Sequence, residues 1–250
     1  MVRLRPGWGI VPIVIFITLW EAIARLNLLQ GQNLLPPFSA TMEEFWLLLK
    51  TGILSENFLA SLIRVLIGFF IGSLAGIAMG IAMGWHNFMD KSLNPIFSLL
   101  YPIPALGWLP LFMLWIGINE LLPIAIIFVC SFFPVLYNTI TGVKNVDKSY
   151  VQAARTLGAS DLRILKTVIL PLALPNIFTG LRLEAGMAWR TIIAAEMVAI
   201  PTGLGALLMR AESLIRVDII IVVLIVLAVM CLIFERFFAY LEWKITKNWG

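Results

Sequence analysis

Six apolar runs, each near the length needed to cross a bilayer, constrain this chain more than any other feature. A spanning helix needs roughly 20 mostly apolar residues, because the hydrocarbon core is about 30 Å thick and a helix rises about 1.5 Å per residue. That ruler selects spans over residues 10–26, 58–85, 93–115, 121–143, 175–200 and 219–240. With 61% apolar and only 13% charged residues among 250, a water-soluble fold would be left with large exposed apolar patches. The expected class is an all-α membrane protein, a six-helix polytopic bundle forming a single transmembrane domain over residues 1–250. Pro102, Pro104 and Pro110 interrupt the third span, which is expected to kink or break there.

Arg3 and Arg5 precede the first run in the manner of a signal peptide. The run continues to about Asn27 without a small-residue cleavage site, so a retained first span is expected. Lys and Arg placement orients the spans. With both termini in the cytoplasm, that side holds Arg3, Arg5, Lys91, Lys144, Lys148, Arg155, Arg163, Lys166, Arg236, Lys244 and Lys247, against Arg25, Lys50, Arg210 and Arg216 outside. The bias follows the positive-inside rule, so the net charge of +4 reports topology and not nucleic-acid binding. Cys130 and Cys231 sit inside apolar runs and suggest neither a disulfide framework nor a metal site. The single histidine, His86, reads as a solvated loop residue.

In the second span Gly68, Gly72, Gly76, Gly80 and Gly84 recur at every fourth position. Small residues in that register let a second helix approach closely, which matters where lipid removes the hydrophobic drive for association. Between the fourth and fifth spans lies a basic segment, about residues 144–171. Val151, Ala154, Leu157 and Gly158 fall on one helical face there, with Gln152, Arg155 and Thr156 on the others. Gly158 permits a sharp turn, Ser160 or Asp161 is placed to cap a second short helix, and Pro171 and Pro175 are expected to close the segment before the fifth span. From spacing alone, this element fits either a groove in a cytoplasmic partner or a headgroup surface.

The stretch QAARTLGASDLRILKTVILP, residues 152–171, resembles the cytoplasmic signature of permease subunits of ATP-binding-cassette importers. Ala153, Ala154, Gly158, Leu170 and Pro171 match in register and Val168 stands at an isoleucine position, whereas Gln152 replaces the usual glutamate. LLPPFSAT, YPIPALGWLPLFMLWIGI, AAEMVAIPTGLGALL and the basic, Trp-containing C-terminus are similar to the nitrate, taurine and alkanesulfonate branch. The resemblance implies a six-helix permease of the type I importer kind in a prokaryotic cytoplasmic (inner) membrane. It implies a homodimer, two separate ATPase subunits, and a periplasmic or lipid-anchored solute-binding protein. It places the coupling helix over about 148–164, with Ala153, Ala154, Leu157, Gly158, Asp161, Ile164 and Pro171 as coupling residues. This chain would bind no cofactor and be no enzyme, with ATP and Mg used by the partner ATPase. No phosphate-cradling Gly-rich loop ending in Lys-Ser or Lys-Thr occurs in the sequence.

Arg182, Glu184, Arg190 and Glu196 lie within the fifth span, where ionisable groups are costly enough to be functional suspects. Arg182, Gly186, Trp189, Ile193 and Glu196 share a stripe, and Arg190 lies about 120° from Glu196 around the helix. Arg190 is the candidate for an anion pathway, with Trp189 and Glu196 lining or gating it. The alternative is that Arg190 and Glu196 pair with other helices and only hold the bundle together. Two outer segments are candidates for meeting a solute receptor: LLPPFSAT with Glu43 and Glu44, and PTGLGALLMRAE with Arg210, Glu212 and Arg216.

Rival classes are weighed on the same residues. A proton-coupled secondary transporter would use Glu184, Arg190 and Glu196 as a relay, but no internal repeat with paired broken helices is evident. An intramembrane enzyme would need a nucleophile and base or a metal cluster, and the chain offers no His-Glu-x-x-His pattern.

Overall fold

The computed structural model describes residues 10–26 and 35–247. Arg3, Arg5, Leu34 and residues 248–250 fall outside the described residues. The described chain is helical throughout, with no strand. Its helices are α1 (Ile10–Arg25), α2 (Phe38–Lys50), α3 (Ile53–Trp85), α4 (Asn87–Leu100), α5 (Leu109–Trp115), α6 (Leu121–Lys144), α7 (Lys148–Thr156), α8 (Asp161–Ile164), α9 (Leu170–Ala199), α10 (Leu204–Ser213) and α11 (Val217–Thr246).

Among the described residues, α3, α6, the continuous 161–198 rod and α11 are each long and apolar enough to cross a membrane. A fifth crossing exists if the bent α4–α5 pair is taken as one. The run expected to form the first span is a 16-residue helix, α1. The third expected span is not a single rod: α4 begins at Asn87, and the helical segment Ala105–Trp115 leaves it at 87°. Pro102 and Pro104 lie in the bend, and Pro110 sits in the first turn of α5, where its missing N–H is no loss.

The core is a chain of contacts from α3 to α6, α6 to α9 and α9 to α11. The glycine register supplies the first. A Cβ at Gly72 would lie 2.6 Å from the Phe128 carbonyl oxygen, and one at Gly76 would lie 2.7 Å from that of Phe132. Gly68, Gly80 and Gly84 meet Ile127, Thr139 and Val143 as closely. The five positions thus form the face along which α3 lies against the α6 backbone.

One sequence expectation fails. Pro171 and Pro175 do not end a segment ahead of a new span. From Asp161 the chain runs helically through a π-turn, Leu165–Ile169, directly into α9. A local widening of the turn is one way a helix accommodates the amide hydrogen that proline lacks, so α9 is rigidly joined to the connector before it.

Candidate functional site

Three polar assemblies stand out from the apolar background. The first is the connector at the basic end of the bundle. Asp147 begins α7, its Oδ1 accepting from Ser149 N at 2.8 Å, and this hydrogen bond holds the Asp147 carboxyl below the usual carboxylate range. Gly158, at φ +81°, turns the chain. Arg155 Nη2 then meets Asp161 Oδ1 at 3.0 Å, bridging α7 to α8. The expected cap at Ser160 makes no side-chain hydrogen bond, and Asp161 is engaged by Arg155 instead.

Val151, Ala154 and Ala159 pack inward on Val143, Ile164, Ile169 and Ala173. Ile164, expected among the partner-facing residues, is fully buried. It fastens the connector to the bundle and cannot touch a separate subunit. Pro171 is half-buried within the helix, while Ala153, Gly158 and Asp161 are exposed. Tyr150, Leu157 and Leu162 are left uncovered, Leu157 at 88% exposure. These exposed apolar side chains form a knob on a pinned helix–turn–helix.

The second assembly lies at the opposite end and centres on Arg64 of α3, which is 2% exposed. Its Nε and Nη2 fork onto Glu120 at 2.6 and 2.7 Å, and its Nη1 donates to Glu196 Oε1 at 2.7 Å and to the Thr202 carbonyl at 2.9 Å. Glu196 also accepts from Ser61 Oγ and from Gly205 N at 3.0 Å. Asn57 Oδ1 and Ser61 Oγ take the N–H groups of Gly203 and Leu204, each at 2.9 Å. The first amides of α10 are thereby capped by side chains from two other helices. Glycine is required where the loop crosses: a Cβ at Gly203 (φ +109°) would lie 2.3 Å from the Glu196 carboxyl carbon.

Glu196 was expected to line or gate a pathway. It is instead fully buried, because Arg64 and the 202–205 backbone enclose it. Sequence reasoning missed Arg64 and Glu120. The available signal was Arg64 itself, an ionisable residue inside the second apolar run.

The third assembly is a cleft of about 480 Å³ between α9 and α11, whose lining includes Thr179, Arg182, Glu184, Met187, Arg190 and Glu235. Arg182 pairs across it with Glu235 at 3.7 Å and Glu242 at 3.5 Å. Arg190 is exposed and has no carboxylate partner among the described residues. Its Nη1 lies 3.8 Å from Met187 Sδ, and the Cys231 thiol is the other group it meets. Trp189, expected beside it on the pathway, is fully buried, stacked on Phe58 and edge-on to Phe234. Its place on the apolar face of α9 makes it core. No group of His, Cys, Asp and Glu able to hold a metal occurs among the described residues.

Comparison with known proteins matches residues 58–247 to the family described as binding-protein-dependent transport system inner membrane component. A putative ABC transporter permease of Methanocaldococcus jannaschii is 39% identical over 233 residues, covering 91% of this chain and 86% of that protein. The taurine transport system permease of Escherichia coli is 34% identical over 95% of this chain and 88% of its own length. Among solved structures, an inward-facing MetNI methionine ABC transporter chain superposes with TM-score 0.65 at 16% identity, over 82% of this chain and 98% of that one. That likeness concerns the fold.

Proposed function

We propose, from the premise that this chain belongs to the binding-protein-dependent transport system inner membrane components, the permease subunits of ATP-binding-cassette importers, that it conducts a small anion such as a sulfonate, taurine or nitrate. The observation that carries the anion is Arg190. A guanidinium within a membrane span, exposed on a cleft and without a carboxylate, is tolerated only where water, substrate or another subunit reaches it. Lipid is excluded as its neighbour by cost. The E. coli relative's name and the branch resemblance of AAEMVAIPTGLGALL support the same class.

In this reading the permease is a homodimer in a prokaryotic cytoplasmic membrane with both termini inside. The basic end faces the cytoplasm, in keeping with its lysines and arginines. The knob of Tyr150, Leu157 and Leu162 docks on each of two ATPase subunits, which bind ATP and Mg and do the hydrolysis. The continuous run from Asp161 into α9 transmits their motion to the helix that bears Arg190, with no flexible joint between lever and pathway. At the other end the Arg64 assembly holds the 200–204 loop and α10 rigid beneath a solute-binding protein. The chain itself performs no chemistry.

The proton-relay reading requires Glu196 to exchange protons along the cleft. Glu196 is enclosed by Arg64, Ser61 and Gly205, away from the α9–α11 cleft, which favours the importer.

The test is uptake by Arg190→Gln in cells. Uptake is expected to fall by about tenfold or more while the permease still copurifies with its ATPase. Wild-type uptake should survive a protonophore and stop on ATP depletion. Unchanged uptake in the variant overturns the anion pathway, and abolition by protonophore with ATP intact overturns the importer.

A further inference from the structure

The last third of α11 sorts its charges by side. From Ile219 to Phe234 the helix carries no charged residue, a rise of about 24 Å that nearly fills the hydrocarbon layer. Glu235, Arg236, Glu242, Lys244 and Lys247 follow. At about 100° per residue the two glutamates lie within about 20° of each other, and the three cations lie within an arc of about 80° on the opposite side. The glutamates face α9, where Arg182 meets Glu235 at 3.7 Å and Glu242 at 3.5 Å. Arg236, Lys244 and Lys247 are exposed and have no carboxylate partner among the described residues. The ion pairs that hold α11 to the bundle are thus complete without them.

The outward face that carries the cations also carries aromatic rings. Phe237, Tyr240 and Trp243 fall within the cation arc or about 20° beyond its edges, and each is a little over half exposed. The Tyr240 and Trp243 rings are 6.1 Å apart, and Lys247 Nζ stands 4.9 Å from the centre of the Trp243 ring. Toward the middle of the helix the same face continues as bare hydrocarbon at Val229 and Ile233. Aliphatic side chains therefore give way to aromatic ones and then to lysines, with Arg236 at the first boundary. A leaflet has the same sequence of layers, from acyl chain through glycerol to headgroup. A protein groove would have to match all three zones, whereas one phospholipid spans them unaided.

We propose that this face of α11 holds an anionic phospholipid, with an acyl chain along Val229 and Ile233, the glycerol against Tyr240 and Trp243, and the phosphate among Arg236, Lys244 and Lys247. The proposal requires α11 to cross the bilayer and does not depend on what the α9–α11 cleft conducts. Charge selects the headgroup. A choline headgroup brings its own cation toward three cationic side chains that no carboxylate offsets, whereas a glycerol headgroup brings only the negative charge of the phosphate.

The experiment reconstitutes the permease, copurified with its ATPase, in nanodiscs of phosphatidylcholine and phosphatidylglycerol in equal amounts. The complex is then released into mild detergent, and native mass spectrometry counts the lipids that stay bound. The wild type should retain phosphatidylglycerol over phosphatidylcholine by about fivefold or more. In Arg236→Gln/Lys244→Gln/Lys247→Gln the ratio should fall to about one with the melting temperature unchanged, because all three side chains are exposed. Lys244→Gln/Lys247→Gln, at the free end of the helix, should lose most of the preference, and Arg236→Lys/Lys244→Arg/Lys247→Arg should keep it. Equal retention of the two lipids by the wild type, or an undiminished ratio in both Gln variants, overturns the proposal. Full displacement of the lipid by glycerol 3-phosphate would make this a site for a free anion. Separation of permease copies in the triple Gln variant, with the lipid ratio intact, would make it an interface between copies. Either result overturns the lipid assignment.

Discussion

Arg64 Nη1 donates to Glu196 Oε1 at 2.7 Å, joining α3 to α9 where the two side chains are 3% and 0% exposed. The pair lies 132 residues apart in sequence, and around it the 202–205 backbone is wound so closely that two glycines are obligatory. An ion pair this deep adds little net stability over an apolar replacement, but it is costly to break on one side, because the survivor is left charged and unsolvated.

Arg64→Met should therefore be strongly destabilising, by about 3–5 kcal/mol. The double variant Arg64→Met/Glu196→Gln should recover much of that loss, since Gln can still accept from Ser61 and Gly205. Glu120→Gln should be mild, because Glu196 still compensates Arg64 and the Glu120 side chain is 66% exposed. Thermal unfolding midpoints of the purified complex would rank the three. An Arg64→Met protein as stable as wild type, or a double variant no better than the single, would remove the buried pair as the organising contact of that end.

The close backbone passage makes a second, independent prediction. Gly205→Ala would place a Cβ 2.3 Å from the Ile193 carbonyl oxygen and 2.7 Å from Glu196 Cβ, whereas Gly186→Ala meets nothing within 4 Å. The first demands backbone movement and should cost more than about 2 kcal/mol. The second should leave the melting temperature unchanged or raise it slightly, as alanine suits a helix interior better than glycine. Equal midpoints for the two variants would show that the 203–205 loop does not sit against α9 as described.

These contacts also show where sequence stops being informative. Span lengths and the Gly68–Gly84 register are local properties, visible as run length and as a period of four, and the prolines at 102, 104 and 110 mark a break through their own chemistry. Partner identity is not local. Arg64 finds Glu120 and Glu196 only because α3, α6 and α9 are brought together, so its role could be suspected from its depth but not assigned. Trp189 and Glu196 share a stripe at helical spacing, and periodicity cannot distinguish a face turned to a pathway from one turned to core. Pro171 and Pro175 are ordinary helix-stop signals, and the π-turn that lets α9 run through them depends on packing around Ile164 and Ile169 that no short window contains.

In the proposed reading the connector has two functions that a single substitution would ordinarily confuse, its own folding and its grip on an ATPase subunit. Asp147 serves the first: its carboxylate accepts from Ser149 N, and its pKa is lowered by that bond. A depressed folded value means that the cap contributes in full above the unfolded pKa of about 3.9 and fades as pH falls through the folded one. At neutral pH the cap is intact, so only mutation removes it there, and Asp147→Ala should speed amide exchange across residues 149–151. Leu157 serves the second function. At 88% exposure it supports nothing within the chain, so Leu157→Asp should leave amide exchange in α7 at the wild-type rate while sharply reducing ATPase copurification and uptake. The same faster exchange in both variants would mean that Leu157 is structural. Full copurification of Leu157→Asp would move the docking surface away from this knob.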